Sequence, residues 1–222
     1  MSKGQSDRLF RWAFALVVIC TLLDRAWMAH TTMGHASDDL VGVWPGATDY
    51  ARGIFHEPFF YGQDYGVMLE ALIAAPFVRL GLDPVPTIAI IFGVFALAPY
   101  LAFACYHYRR SEWWPALVFA ALPLLLPVEH GLQITALNGI ALLAFVPLVW
   151  CVRPVLWRSA WLALVFSLAI FVNPNAALVA VPLGTPPPLQ YRHDGKTYLG
   201  LAIGPLPFPL LRAAVRAVFP AQ

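Results

Sequence analysis

Five long apolar stretches constrain this chain more than anything else in it: Trp12–Ala29, Thr87–Tyr106, Trp113–Pro127, Ile134–Val152 and Trp157–Leu183. In a bilayer every backbone N–H and C=O must find its partner inside the protein, so apolar runs of about 20 residues read as transmembrane helices. Composition agrees: 60% of the 222 residues are hydrophobic and 12% charged, whereas soluble domains carry about 25% charged residues. A soluble fold of this size has too little interior to hide that much apolar surface. The expected fold class is an all-α integral membrane protein of about five or six transmembrane helices. Tryptophans 12, 27, 113, 114, 150 and 157 stand near the span ends, as in an aromatic belt. The last stretch is interrupted at Asn173-Pro174-Asn175, which predicts a kink or a hairpin tip.

Charge placement sets the expected topology. Lys3, Arg8 and Arg11 put residues 1–11 in the cytoplasm, with 12–29 as the first span leading outward. The run Gly66–Leu80 is short and contains Glu70 and Arg79. If it crossed the bilayer, Arg109 and Arg110 would fall outside. If it lies along the outer face, Arg109, Arg110, Arg153 and Arg158 all fall inside. Residues 30–86 are therefore expected to be an outer loop containing an interfacial helix at 66–80, and residues 87–183 a helical bundle. The tail, 184–222, is broken by Pro186-Pro187-Pro188 and ends in a stretch carrying Arg212 and Arg216, which suits a short basic helix on the cytoplasmic surface. Asp24 and Arg25 interrupt the first apolar run and no small-residue cleavage site follows, which argues against a removable signal peptide.

Several function classes lose ground at once. A net charge of +2, dispersed along the chain, gives no nucleic-acid footprint. Cys20, Cys105 and Cys151 lie within apolar runs and read as small buried hydrophobes rather than a disulfide framework or metal site. His30, His35 and His56 lack metal-ligand spacing, so no metal site or other cofactor is assigned and metal dependence stays open. Asp24–Arg25 reads as a local pair at the outer end of the first span. As a lone charged site it gives little footing for transport.

Acidic residues point to the chemistry. Of the twelve in the chain, six lie between Asp38 and Glu70: Asp38, Asp39, Asp49, Glu57, Asp64 and Glu70. The stretch 30–65 is far longer than an ordinary connector of about 4–6 residues. It also holds Arg52, Tyr61, Gln63 and Tyr65. Ser37-Asp38-Asp39-Leu40-Val41-Gly42, followed by Phe59-Phe60-Tyr61-Gly62-Gln63-Asp64-Tyr65-Gly66-Val67-Met68-Leu69-Glu70-Ala71 and Phe77-Val78-Arg79-Leu80-Gly81, resembles the start of bacterial GT-C-type glycosyltransferases. These form the protein O-mannosyltransferase and lipid A aminoarabinose transferase superfamily. Its members typically read Ser-Asp-Glu, a short helix, Phe-Tyr-Gly-Gln-x-Tyr-x-Gly-x-Leu-Glu-Ala, then an apolar helix ending in Leu-Phe-Gly. The resemblance covers roughly residues 8–184. It departs from the family at Val43–Tyr50, which reads as an insertion, and in length, since family enzymes carry a further C-terminal half with basic residues for the donor phosphate.

The resemblance implies a multi-pass protein of the bacterial inner membrane that transfers a sugar from a polyprenyl-phosphate donor to an acceptor on the outer face. Asp38, with Asp39 beside it, matches the family's acidic position. Tyr61, Gln63, Tyr65, Glu70 and Arg52 are the candidate substrate contacts. Each has a plainer reading: Asp38 as a helix N-cap, Glu70 as a pin for its own helix, the aromatics as an interfacial belt. The rival function is a non-catalytic transmembrane subunit that kept the N-terminal half of the scaffold. Its partners would then be other membrane subunits as well as membrane lipid.

Overall fold

A computed structural model describes residues 3–32, 38–56, 66–126 and 137–178; those residues are almost wholly helical and form no sheet. In chain order the helices are α1 (Lys3–Thr32), α2 (Asp38–Ala51), α3 (Leu69–Arg79), α4 (Pro84–Arg109), α5 (Trp113–Leu125), α6 (Leu137–Ala141), α7 (Val146–Trp150) and α8 (Val155–Val172). A 3-10 turn, Leu142–Phe145, joins α6 to α7, and another, Pro174–Ala176, follows α8.

Among the described residues three helices are long and apolar enough to cross a membrane: Gln5–Thr31, Pro84–Arg109 and Val155–Val172. The sequence reading expected more. The difference lies in α5, whose 13 residues span about 20 Å against a hydrocarbon core of about 30 Å, and in the 3-10 turn that breaks the rod 137–150. The expected last span, 157–183, is interrupted at Asn173, where the sequence reading placed a kink or hairpin tip. There the chain turns to extended backbone and the Asn173 carboxamide oxygen accepts from Asn175 N at 2.9 Å.

Local chemistry explains the boundaries. Asp83 caps α4, its carboxylate accepting from Val85 N at 2.8 Å with Pro84 at the first helical position. Three helix ends close alike. Gly53, Gly81 and Ser111 have φ of 78°, 94° and 58°. In each case the next residue donates back five positions: Ile54 N to Asp49 O, Leu82 N to Phe77 O and Glu112 N to His107 O. Glycine suits the left-handed position; Ser111 accepts it to make the tight α4–α5 turn.

Ring contacts fix the helix directions. Near its start α1 places Phe10 against Trp113 at 6.2 Å and Phe14 against Tyr108 at 4.6 Å. Farther along, Thr21 Oγ1 donates to Ala120 O at 2.8 Å. Hence α1 and α5 run the same way and α4 runs against both. Tyr106 meets Trp150 at 5.3 Å, so α7 ends where α4 ends. One side of the molecule thus gathers the ends that carry Arg8, Arg11, Arg109, Arg110 and Arg153. On the opposite side Val67 N donates to Val172 O at 2.9 Å, tying the approach to α3 onto the end of α8.

Packing divides into two clusters. Val43, Ala47 and Tyr50 of α2 interlock with Met68, Ala71 and Ala74 of α3 and its approach, and with Ile88 and Phe92 of α4. Phe103, Leu143, Val146, Ala169 and Ala176 form the second, between α4, the 137–150 rod and α8. The cysteines correct the sequence reading: Cys20, Cys105 and Cys151 are free and exposed on the helix surfaces. Apolar residues look outward because the bundle has more apolar surface than its interior can take.

Candidate functional site

The helix pair α2–α3 occupies the side of the molecule opposite the arginines. Their 14 and 11 residues reach about 21 and 16 Å, too little to cross a bilayer. Both pack against the start of α4, so these two helices form one packed unit with it. Within the expected interfacial run 66–80, Gly66 takes φ 78° and Val67 pairs with Val172 before the helix begins at Leu69.

The candidate residues fall in different places. Asp38 and Asp39 open α2 as its first two residues. Arg52 follows the last turn of α2, donating its backbone N to Thr48 O at 3.1 Å, with its side chain exposed. It stands about 20 Å from Asp38 along the helix, too far to hold the same small group. Glu70 lies in the first turn of α3 and is fully buried. Tyr61, Gln63 and Tyr65 lie outside the described residues. On the far end of α2, His56 Nε2 sits 4.0 Å from Asp49 Oδ2. Among the described residues no three His, Cys, Asp or Glu side chains converge as metal ligands.

Sequence reasoning missed the reach of one polar cluster and the whole of another. Arg25 is 3% exposed. Its Nε lies 3.4 Å from Asp24 Oδ2, while its Nη2 donates to the carbonyls of Pro123 and, at 3.3 Å, Leu126. The local pair expected from sequence is present, but the guanidinium is buried and serves α5. The signal was legible: Thr21 and Arg25 are one helical turn apart on one face, and residue 127 is a proline with no N–H for the Pro123 carbonyl.

The second cluster clasps the α4–α5 turn. Glu112 Oε2 accepts from His107 Nδ1 at 2.5 Å and Oε1 from Arg110 Nε at 2.9 Å. The Arg110 guanidinium also lies over the Tyr106 ring at 5.4 Å. The His107 and Arg110 hydrogen bonds hold the Glu112 carboxyl below its ordinary value of 4.5, and the same bond to Glu112 raises Arg110. Because the folded state lowers this acid, its contribution is complete above about pH 4.5 and fades as pH falls through the depressed value. Wild-type Tm is therefore expected to drop more steeply below pH 4.5 than that of Glu112→Gln. Parallel acid limbs in thermal melts would remove the clasp from the stability of the turn.

Comparison with protein-family models, with curated proteins and with solved structures finds no match.

Proposed function

We propose that the chain is a multi-spanning protein of the bacterial inner membrane that transfers a sugar from a polyprenyl-phosphate donor, in the manner of the GT-C-type enzymes its N-terminal motifs resemble. One observation carries the reading. A pair of helices too short to cross a bilayer is packed beside the ends of long apolar helices, opposite the arginine-bearing side, and opens on Asp38-Asp39. A lipid-linked substrate arrives in the plane of the membrane, so a carboxylate held at that level meets it without drawing the polyprenyl chain into water.

In this mechanism the Asp38 carboxylate takes the proton of the acceptor hydroxyl as its oxygen attacks the anomeric carbon. The sugar–phosphate bond breaks with its electron pair passing to the departing polyprenyl phosphate. Tyr61, Gln63 and Tyr65 are the proposed sugar contacts. Arg52, a helix length away, contacts no reacting atom, and Glu70 holds α3 in place from within the packed cluster.

Asp38→Asn, isosteric but without a basic oxygen, is expected to lower transfer from a polyprenyl-phosphate sugar by about 10²–10⁴-fold. Reconstituted vesicles with labelled donor read this directly, with Arg52→Gln retaining most activity. Undiminished transfer by Asp38→Asn would remove Asp38 as the base. Absence of transfer by the unaltered protein would favour the subunit reading of the same scaffold.

A further inference from the structure

The arginine-bearing side has a composition that the proposed chemistry does not use. Arg8, Arg11, Arg109, Arg110 and Arg153 are exposed there, and Arg158 is half-buried. These positions stand at the start of α1, the end of α4 and around the start of α8, and contacts tie Arg11 and Arg110 to the aromatic rings there. The Arg11 guanidinium lies 5.9 Å from the centre of the Trp113 ring, Phe10 touches both Trp113 and Trp114, and Tyr106 bridges Arg110 to Trp150.

Trp12, Trp114 and Trp157 stand at the same ends, 76%, 70% and 61% exposed. Indole rings with one apolar and one polar edge settle at the headgroup level of a bilayer. The arginines beside them therefore stand at phosphate depth, with apolar stems along the helix surface and guanidinia able to grip phosphate oxygens in pairs.

Acidic groups do little to offset them. Among the described residues only Asp7 and Glu112 lie on this side, and both oxygens of Glu112 are engaged by His107 and Arg110. The opposite side is mixed, with Arg79 four positions before Asp83 in the chain and Arg52 three after Asp49.

We infer that this side is a binding surface for anionic phospholipid headgroups, holding a selected lipid shell through Arg109, Arg153 and Arg158. The inference rests on the membrane reading given above but not on sugar transfer.

The test uses the full-length chain reconstituted in bilayers of phosphatidylcholine with spin-labelled phosphatidylglycerol or spin-labelled phosphatidylcholine as probe. The unaltered protein is expected to prefer the anionic probe several-fold. One basic group at an anionic surface is worth roughly fivefold in association, so Arg109→Gln/Arg153→Gln/Arg158→Gln is expected to erase most of the preference even after salt screening. The matching triple Lys variant keeps it, which separates lost charge from misfolding, and Arg79→Gln on the opposite side leaves it unchanged. Equal association of the two probes with unaltered protein, or an equal loss in Arg79→Gln, would overturn the inference. A chain that will not enter bilayers at all would overturn the membrane reading with it. Reconstitution without preference would sink only the lipid surface.

Discussion

Arg25→Met is expected to destabilise the protein by about 3 kcal/mol, a fall in Tm of roughly 6–12 °C for a chain of this size. Methionine keeps the length and apolar stem of arginine but donates nothing. The Pro123 and Leu126 carbonyls at the end of α5, which accept from Arg25 Nη2, then lose that donor in a region with little water. Carbonyls at a helix C-terminus have no donors of their own, and the proline at 127 means that Pro123 O could not gain one from a continued helix. Asp24, 3.4 Å from the guanidinium, would also lose its counter-charge. Thr21→Val removes only the 2.8 Å bond to Ala120 O, so its cost is expected nearer 1 kcal/mol. Arg11→Met is the control, since that side chain is exposed. Thermal melts in detergent that rank Arg25→Met no lower than Arg11→Met would show that Arg25 does not hold α1 to α5.

Glycine to alanine is expected to have opposite signs at two positions. A Cβ on Gly139 would come within 2.3 Å of Ala169 O and 3.0 Å of the Ala176 Cβ, so the α6 backbone rests directly against the last turn of α8. Ala169 O already accepts from Asn173 N at 3.0 Å, and the backbone there cannot retreat without undoing the turn at Asn173. Gly139→Ala is therefore expected to cost about 2 kcal/mol or more through overpacking. Gly93, inside α4, has nothing within 4 Å of the Cβ position. Gly93→Ala is expected to gain about 0.5–1 kcal/mol, because alanine loses less backbone entropy in a helix. Melts of the pair separate the packing at residue 139 from any general effect of alanine. Equal shifts in the same direction would contradict the close approach of α6 and α8.

Much of this was legible in residue order because it depends on neighbours along the chain. Apolar runs mark helices through local partitioning and hydrogen bonding, so the long helices around Trp12–Ala29 and Thr87–Tyr106 and most of that after Trp157 follow from composition alone. The charge argument against a crossing at Gly66–Leu80 needed only the spacing of arginines; the helix found there, α3, has 11 residues. The break at Asn173-Pro174 followed from the missing N–H of proline.

The candidate site was legible as a cluster of residue types and less so as an arrangement. Asp38, Arg52 and Glu70 are close in sequence and chemically suited to one site. Helix geometry sets the first two a helix length apart, and the third is fully buried in the first turn of α3. Hydropathy likewise marked α5 as a span without revealing that it is only 13 residues long.

By itself the sequence determined that the described residues would be helical, roughly where the long helices lie, and which ends carry positive charge, since each follows from interactions over a few residues. Only the tertiary structure decided that Arg25 serves carbonyls 98 positions or more away, that Gly139 meets α8 backbone to backbone, and that three cysteines face outward. Those outcomes depend on the rotation of each helix about its own axis. That rotation is chosen by the fit of whole surfaces against one another, which no local pattern records.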